Sequence, residues 1–347
     1  MTKAAVTIRD VARDAGVSVA TVSRVLNESG PVHALTAERV WAAARALRYM
    51  PNQAARSLIT RQTRTLGVVL PDLHGEFFSE VIRGIDQRAQ REHYHVLVSG
   101  SHDAWDEIAA ALRAMHRRVD GVIIMSPDIE ADVLKATLPP DLPAVLLNCV
   151  ARGRDISAIN IDNRGGAGEM VRHLVSLGRR RIGFIAGPAR NHDAGERLAG
   201  YHEALARAEL TAPLPALPGD FTEAGGYEAV RTLLEGAGGA GRVDALFAAN
   251  DSMAVGALSA LRRAGIKVPD DVAVVGFDDI PIAAYLSPPL TSMQVPIAEL
   301  GVRAMEALLS AVQAPGAHEA RQEVLPTRLV VRRSCGAPAT AAADLGS

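Results

Sequence analysis

Four polar residues spread along the chain, Asn148, Arg197, Asn250 and Asp278, and three aromatics, Phe77, Phe78 and Phe221, carry the most telling chemistry. A carboxylate, two amides and a guanidinium can hold neighbouring hydroxyls through paired hydrogen bonds, while aromatic rings cover the apolar faces of a sugar ring. Such a set suits a small polyol, uncharged or singly charged. Arg197 can equally pair with a carboxylate or a phosphate. A second set lies near the N-terminus. Arg24 can make a bidentate contact to guanine, and Val19 and Ala20 offer apolar contact to a thymine methyl. Thr7, Ser18, Thr21, Ser23 and Asn27 supply hydroxyls, an amide and helix-end N–H groups of the kind that meet phosphates.

The second set must sit on a small helical head. Thr7–Ala15 reads as a helix, with Thr7 and Asp10 spaced as a capping box. Ile8, Val11, Ala12 and Ala15 form its apolar face, and Gly16 ends it. Ser18 caps a second helix whose buried side is Val22, Val25 and Leu26. Two short helices joined by a tight turn containing Gly form a helix-turn-helix. A third helix, Thr36–Arg48, closes the core with Val40, Ala43, Ala44 and Leu47. The second helix presents Val19, Ala20, Ser23 and Arg24 outward, as a helix entering the major groove would. The plainer reading is a three-helix bundle that binds a protein.

Charge favours the nucleic-acid reading. Residues 1–65 hold ten Lys/Arg against four Asp/Glu, a net of +6, while the remaining 282 residues carry a net of −8. A basic module on an acidic body points to an anion-binding head. After Pro51 comes a short helical stretch, QAARSL, too short to be stable alone in water. Ala54, Ala55 and Leu58 share one face, so Leu58 could wedge between base steps of the minor groove. Arg56, Arg61 and Arg64 lie close enough to meet phosphates. An ordinary linker is the alternative.

The first set must be positioned by the chain beyond Thr65. Continuous apolar runs (TLGVVLP, VDGVIIM, AVLLN, then RRIGFIAG, ALFAAN, VAVVGFD) alternate with helical stretches, including Phe78–His93, Gly165–Gly178, Arg197–Ala208, Glu223–Glu235 and Met253–Ala264. Strands of this type are parallel and buried on both faces. The fold class is thus a small all-α helix-turn-helix head plus an α/β body of two parallel-sheet, Rossmann-like subdomains. Ligands in such sheets bind beyond the carboxyl ends of the strands. That rule selects Pro71–Phe78, Met125 and Ser126, Asn148, Asp162, Gly187–Arg197, Phe221, Asn250 and Asp251, and Phe277 and Asp278, in two clusters facing across a cleft. Asp162 and Asn163, just before a helix, read as caps.

Other classes find little support. GGAGEM at 165–170 lacks the Lys of a phosphate loop, and neither a dinucleotide fingerprint nor a Gly-x-Ser-x-Gly elbow occurs. His93 and His95 have no acidic partner at metal spacing. No enzyme activity, catalytic residue, metal or cofactor is expected. Two cysteines, Cys149 and Cys335, are read as free thiols, the latter in a polar tail. The absence of a signal-like or membrane-spanning run makes a cytoplasmic protein without membrane partners the expectation.

The stretch VTIRDVARDAGVSVATVSRVLNESGPV, with LRYMPNQAARSL after it, resembles the DNA-binding head and hinge of the lactose-repressor family of bacterial transcriptional regulators. The body, with TLGVVLPDLHGEFFSEVIRGI, GERLAGY and VAVVGFDDIPIAAYLSPPLTSM, resembles the periplasmic-sugar-binding-protein fold, type I. The resemblance implies that Val19, Ala20 and Arg24 face operator bases, that Leu58 intercalates beside Ala55, and that Arg197 and Asp278 hold an effector in a pocket lined by Phe77, Phe78, Asn148, Phe221 and Asn250. It implies three crossings between subdomains, near 162–164, 290–293 and 322–327. The domain plan is then 1–50 head, 51–64 hinge helix and linker, 65–162 with 293–322 as the first subdomain, 163–290 with 326–333 as the second, and 334–347 a disordered tail.

The partners so implied are a double-stranded, palindromic DNA operator, a sugar-like effector and a second copy of the chain. The tail has no leucine heptads, so a homodimer rather than a tetramer is expected. Opening or closing of the cleft would stabilise or melt the paired hinge helices. A repressor of carbohydrate use released by its effector is the leading form. A corepressor form, whose nucleobase or sugar phosphate strengthens DNA binding, is the alternative, and a small-molecule-binding protein with no regulatory role is a third.

Overall fold

The computed structural model describes residues 6–27, 30–50, 62–102, 104–127, 131–149, 156–210, 216–236, 239, 243–314 and 319–338. The chain forms two compact units that divide at Arg64–Thr65.

The head is three helices, α1 (Ile8–Ala15), α2 (Val19–Asn27) and α3 (Ala34–Ala46). Thr7 precedes α1, and its amide and hydroxyl both donate to the Asp10 carboxylate at 3.0 and 2.7 Å. Those bonds hold the Asp10 carboxyl below its ordinary range. Gly16 adopts φ 64°, the left-handed conformation that lets the chain turn sharply into α2. Val11, Val22 and Val40, one from each helix, are fully buried and form the centre of the core with Ala12, Ala15, Val25, Ala43 and Ala44. The third helix begins two residues earlier than the Thr36 start read from the sequence, because His33 already accepts the first helical amides.

The body holds two sheets. The first has strand order β10-β5-β4-β3-β1-β2, built from β1 (Thr65–Leu70), β2 (His95–Gly100), β3 (Val122–Met125), β4 (Ala144–Leu147), β5 (Ser157–Ile161) and β10 (Gln322–Leu325). The second has order β11-β9-β8-β7-β6, from β6 (Ile182–Ile185), β7 (Ala245–Ala248), β8 (Ala273–Asp278), β9 (Thr291–Gln294) and β11 (Arg328–Val330). All pairings among these strands are parallel except β11 with β9. Apolar strands such as β3 and β7 are buried at every position, as parallel strands covered on both faces must be.

Helices α4 (Glu76–Arg91), α5 (Trp105–Met115), α6 (Ala131–Thr137) and α11 (Ile297–Gln313) belong with the first sheet; α7 (Asn163–Ser176), α8 (His192–Arg207), α9 (Glu223–Glu235) and α10 (Asp251–Arg263) belong with the second. Helices α4 and α11 approach so closely that a Cβ on Gly84 would strike the Ala298 carbonyl, and one on Gly301 the Val81 carbonyl. Helix α4 starts at Glu76, two residues before the Phe78 start read from the sequence and straight after Gly75 at φ 92°, so Phe77 joins Phe78 in its first turn.

Three expectations need correction. The crossing placed at 290–293 comes later, at Val295–Pro296, because Thr291–Gln294 pairs in register with β8 of the second sheet. The tail cannot begin at 334. Ser334 and Cys335 are both fully buried, and the Ser334 hydroxyl donates to the Val274 carbonyl and accepts from the Thr291 amide at 2.8 Å. Cys335 is therefore a core residue, not part of a polar tail. The hinge residues Ala55 and Leu58, with Arg56 and Arg61, lie outside the described residues, as does 339–347.

Candidate functional site

In the head, helix α2 is oriented by its apolar side. Val22 and Val25 point into the core, which leaves Ala20 and Arg24 on the opposite side with Val19, itself 41% exposed. An exposed valine beside an arginine suits contact with methyl-bearing base edges. The Ser18 hydroxyl accepts from the Thr21 amide at 3.1 Å and pairs with the Thr21 hydroxyl at 2.9 Å. It thereby caps α2. The Asn27 amide donates to the Ser23 hydroxyl at 3.1 Å along the same helix. Thr7, whose hydroxyl is bonded to Asp10, is exposed at the start of α1.

In the body, the carboxyl ends of the strands open onto one cavity of about 350 Å³. Every residue expected there lines it: Phe77, Phe78, Asn148, Arg197, Phe221, Asn250 and Asp278. Asn148 follows β4 and Asp278 ends β8. Asn148 at φ 47°, Phe221 at φ 69° and Asp278 at φ 107° all occupy the left-handed region that side chains disfavour. Such strain concentrates where surrounding structure holds a functional side chain in place. The rings of Phe77 and Phe78 meet edge to face, with centroids 5.5 Å apart.

Arg197 is the hub. It is buried, and its Nε donates to Asn163 Oδ1 at 2.8 Å and its Nη1 to the Ala249 carbonyl at 2.6 Å. Its Nη2 lies 3.0 Å from Asp278 Oδ1 in a buried ion pair. The guanidinium lies over the Phe277 ring, 3.9 Å from its centroid. Burial pushes the Asp278 carboxyl up to about 6 against the opposing pull of Arg197. Behind it Asp251, fully buried, is pushed well up by burial and by the charge of Asp278; it accepts from the Ser292 hydroxyl at 2.6 Å and the Ile280 amide at 2.9 Å.

Two members of this cluster escape the sequence reading. Asp193 accepts from Asn148 Nδ2 at 2.8 Å and from Asn163 Nδ2 at 2.9 Å, and burial raises its carboxyl despite Arg197 nearby. The signal for it is its spacing: Asp193 stands four residues before Arg197, on the same face of one helix. Asn163 reads, with Asp162, as a cap. Asp162 is one, accepting from the Gly165 amide, whereas Asn163 is buried and joins Arg197 to Asp193. Asn250 caps α10 through its oxygen and donates its amide to the Phe221 carbonyl, so both its ends serve local structure at the cavity wall.

Among the described residues, no group of three or more His, Cys, Asp or Glu is arranged to hold a metal ion, and no helix is long and apolar enough to cross a membrane.

The head matches the model of bacterial regulatory proteins, lacI family, over residues 7–52, and residues 171–335 match a periplasmic binding protein-like domain. The chain is 34% identical to the HTH-type transcriptional repressor PurR of Photobacterium profundum over 331 residues, covering 94% of this chain and 98% of the relative. It is 33% identical to the ribose operon repressor of Escherichia coli over 325 residues, covering 92% and 97%. Among solved structures it is similar to the lac repressor dimer bound to operator and the anti-inducer ONPF, with TM-score 0.85, 32% identity and coverage of 95% and 99%.

Proposed function

Because the chain belongs to the lacI family of bacterial regulatory proteins, we propose that it is a ligand-responsive, sequence-specific DNA-binding repressor whose effector is a sugar or a similar small polar molecule. The observation that carries the effector reading is the ownership of the polar cluster. Asn148 follows a strand of the first sheet, while Asp193, Arg197 and Asp278 belong to elements of the second. A molecule bound in that cavity touches both halves of the body, so its affinity differs between an open and a closed cleft. That difference is what linkage to DNA affinity requires.

In this reading Val19, Ala20 and Arg24 contact operator bases, and Thr7, Ser18, Thr21, Ser23 and Asn27 contact phosphates. Residues 51–64, with Ala55 and Leu58, act as the hinge in a homodimer on a palindromic site. The subdomains follow the plan read from the sequence, with the second crossing moved to Val295–Pro296, the third placed after Leu325, and Ser334 and Cys335 added to the second. Phe77, Phe78, Asn148, Arg197, Phe221, Asn250 and Asp278 bind the effector, and Asp193 and Asn163 hold Arg197 and Asn148 in position. The protein works as a regulator in the cytoplasm, without catalysis.

The test uses the full chain and an operator selected from random duplex DNA. Ligands that raise its melting temperature are added to the protein–operator complex, and binding is followed by fluorescence anisotropy. A stabilising ligand is expected to release the operator; one that tightens binding assigns the corepressor form. A ligand that binds the body yet leaves operator affinity unchanged in both directions sinks the regulatory link.

A further inference from the structure

We infer that the effector cavity selects by charge: it takes hydroxyl- or ammonium-bearing ligands without negative charge, and it rejects their phosphorylated and carboxylated counterparts. This rests on the effector reading above and narrows it. Among the described lining residues stand six carboxylates, Asp72, Glu76, Asp193, Asp220, Glu223 and Asp278, against one guanidinium, Arg197, and one imidazole, His74. An arginine in a ligand cavity would ordinarily invite an anion. Here each of its nitrogens already faces a protein acceptor: Asn163 Oδ1, the Ala249 carbonyl and the Asp278 carboxylate. Its flat face is covered by Phe277.

Two amides of the wall are engaged in the same way. Asn148 gives its amide to Asp193, and Asn250 gives its amide to the Phe221 carbonyl. The wall also holds a buried acceptor that no protein donor among the described residues reaches. Asn148 is 3% exposed, and its Oδ1 has no hydrogen-bond partner among the described residues. A buried acceptor in that position asks for an O–H or N–H from the ligand. A phosphate or carboxylate oxygen brings only lone pairs to it.

The carboxylates nearer the opening are fixed, not free to swing aside. Asp72 accepts the amides of Leu73 and His74, Asp220 the amide and hydroxyl of Thr222, and Glu76 the amide of Ile282. A ligand anion would enter among them in a partly closed site, where like charges are poorly screened. An ammonium group on the same scaffold would meet favourable charge from the same residues.

The experiment is isothermal titration calorimetry of the full chain against scaffold-matched sets: glucose, glucosamine, glucose 6-phosphate and gluconate; galactose, galactosamine and galactose 6-phosphate; ribose and ribose 5-phosphate; adenosine and its monophosphate. For any scaffold that binds, the neutral or amino form should bind more tightly than the anionic form by on the order of 100-fold or more. The amino form should match or exceed the neutral one. The exposed pair Asp220→Asn and Glu223→Gln, combined, should narrow the gap between the neutral and anionic forms. A phosphorylated or carboxylated member that binds as tightly as its parent overturns the charge selection while leaving the sensor reading intact. A panel in which nothing binds at any charge removes the effector reading, and the selection with it.

Discussion

Asn148 and Asp193 meet at 2.8 Å, Nδ2 to Oδ2, although 45 residues separate them and they belong to opposite halves of the body. Both are buried. The second carboxylate oxygen of Asp193 takes the Asn163 amide where the chain first crosses between the halves. One side chain thus ties the cavity wall to the first crossing. Asp193→Ala leaves two buried amide donors without an acceptor, and the body should lose about 1–3 kcal/mol of stability. A double-mutant cycle with Asn148→Ala should show a coupling of about 0.5–3 kcal/mol in urea unfolding. Additive losses would show that the contact does not join the halves energetically.

The contrast between Arg197 and Asp193 shows what can be read without coordinates. Arg197, Asn148 and Asp278 are legible because parallel strands place their carboxyl ends at the ligand site, whatever the details of packing. Asp193 and Asn163 are not, since a buried polar partner is chosen by tertiary contact and leaves no period in the sequence. Ser334 and Cys335 mislead for a related reason. Their neighbours are small and polar, but backbone and hydroxyl bonds to Thr291 and Val274 bind the segment into the core. The crossing at Val295–Pro296 is displaced because the polar look of TSMQ hides a strand paired to β8.

Asp278 gives the body a pH signature. Its carboxyl titrates near 3.8 when unfolded and near 6 when folded. Between those values the folded chain keeps a proton that the unfolded chain has released, so stability falls as pH rises through the window. The shift corresponds to about 3 kcal/mol, fully present below pH 4 and lost above 6. Asp193 and Asp251 are raised by burial and slope the same way. Asp278→Asn should therefore flatten the pH dependence of urea unfolding in part. Effector affinity should run in the opposite sense, weakening below pH 6, because ligand hydroxyls donate best to the ionised carboxylate. Wild-type slopes unchanged by Asp278→Asn would remove the residue from both roles.

Two glycines make a paired test of packing. Gly84→Ala places a methyl against the Ala298 carbonyl, where helix backbone must move, and should cost about 1–3 kcal/mol. Gly195→Ala, on helix α8, meets nothing within 4 Å and should stabilise by roughly 0.5–1 kcal/mol. Thermal unfolding of the two variants should move in opposite directions. A Gly84 variant that melts with the wild type would mean that the α4–α11 approach is not tight.

Arg24 tests whether the head reads sequence or only binds charge. It projects from α2 opposite the buried Val22 and Val25, so its replacement leaves the core intact. If its guanidinium forks to a guanine, Arg24→Ala should cost about 1–3 kcal/mol on the selected operator and far less on random duplex. Arg24→Lys separates the two roles further. Lysine keeps the charge but not the planar fork, so it should hold random-duplex affinity while still losing the operator preference. If Arg24 meets only phosphate, the alanine variant weakens both DNAs equally, lowers the salt slope by about one, and is rescued by lysine. Anisotropy titrations on both duplexes over a salt series distinguish these outcomes. The second pattern would leave base reading to Val19 and Ala20, whose apolar contacts discriminate thymine but not guanine.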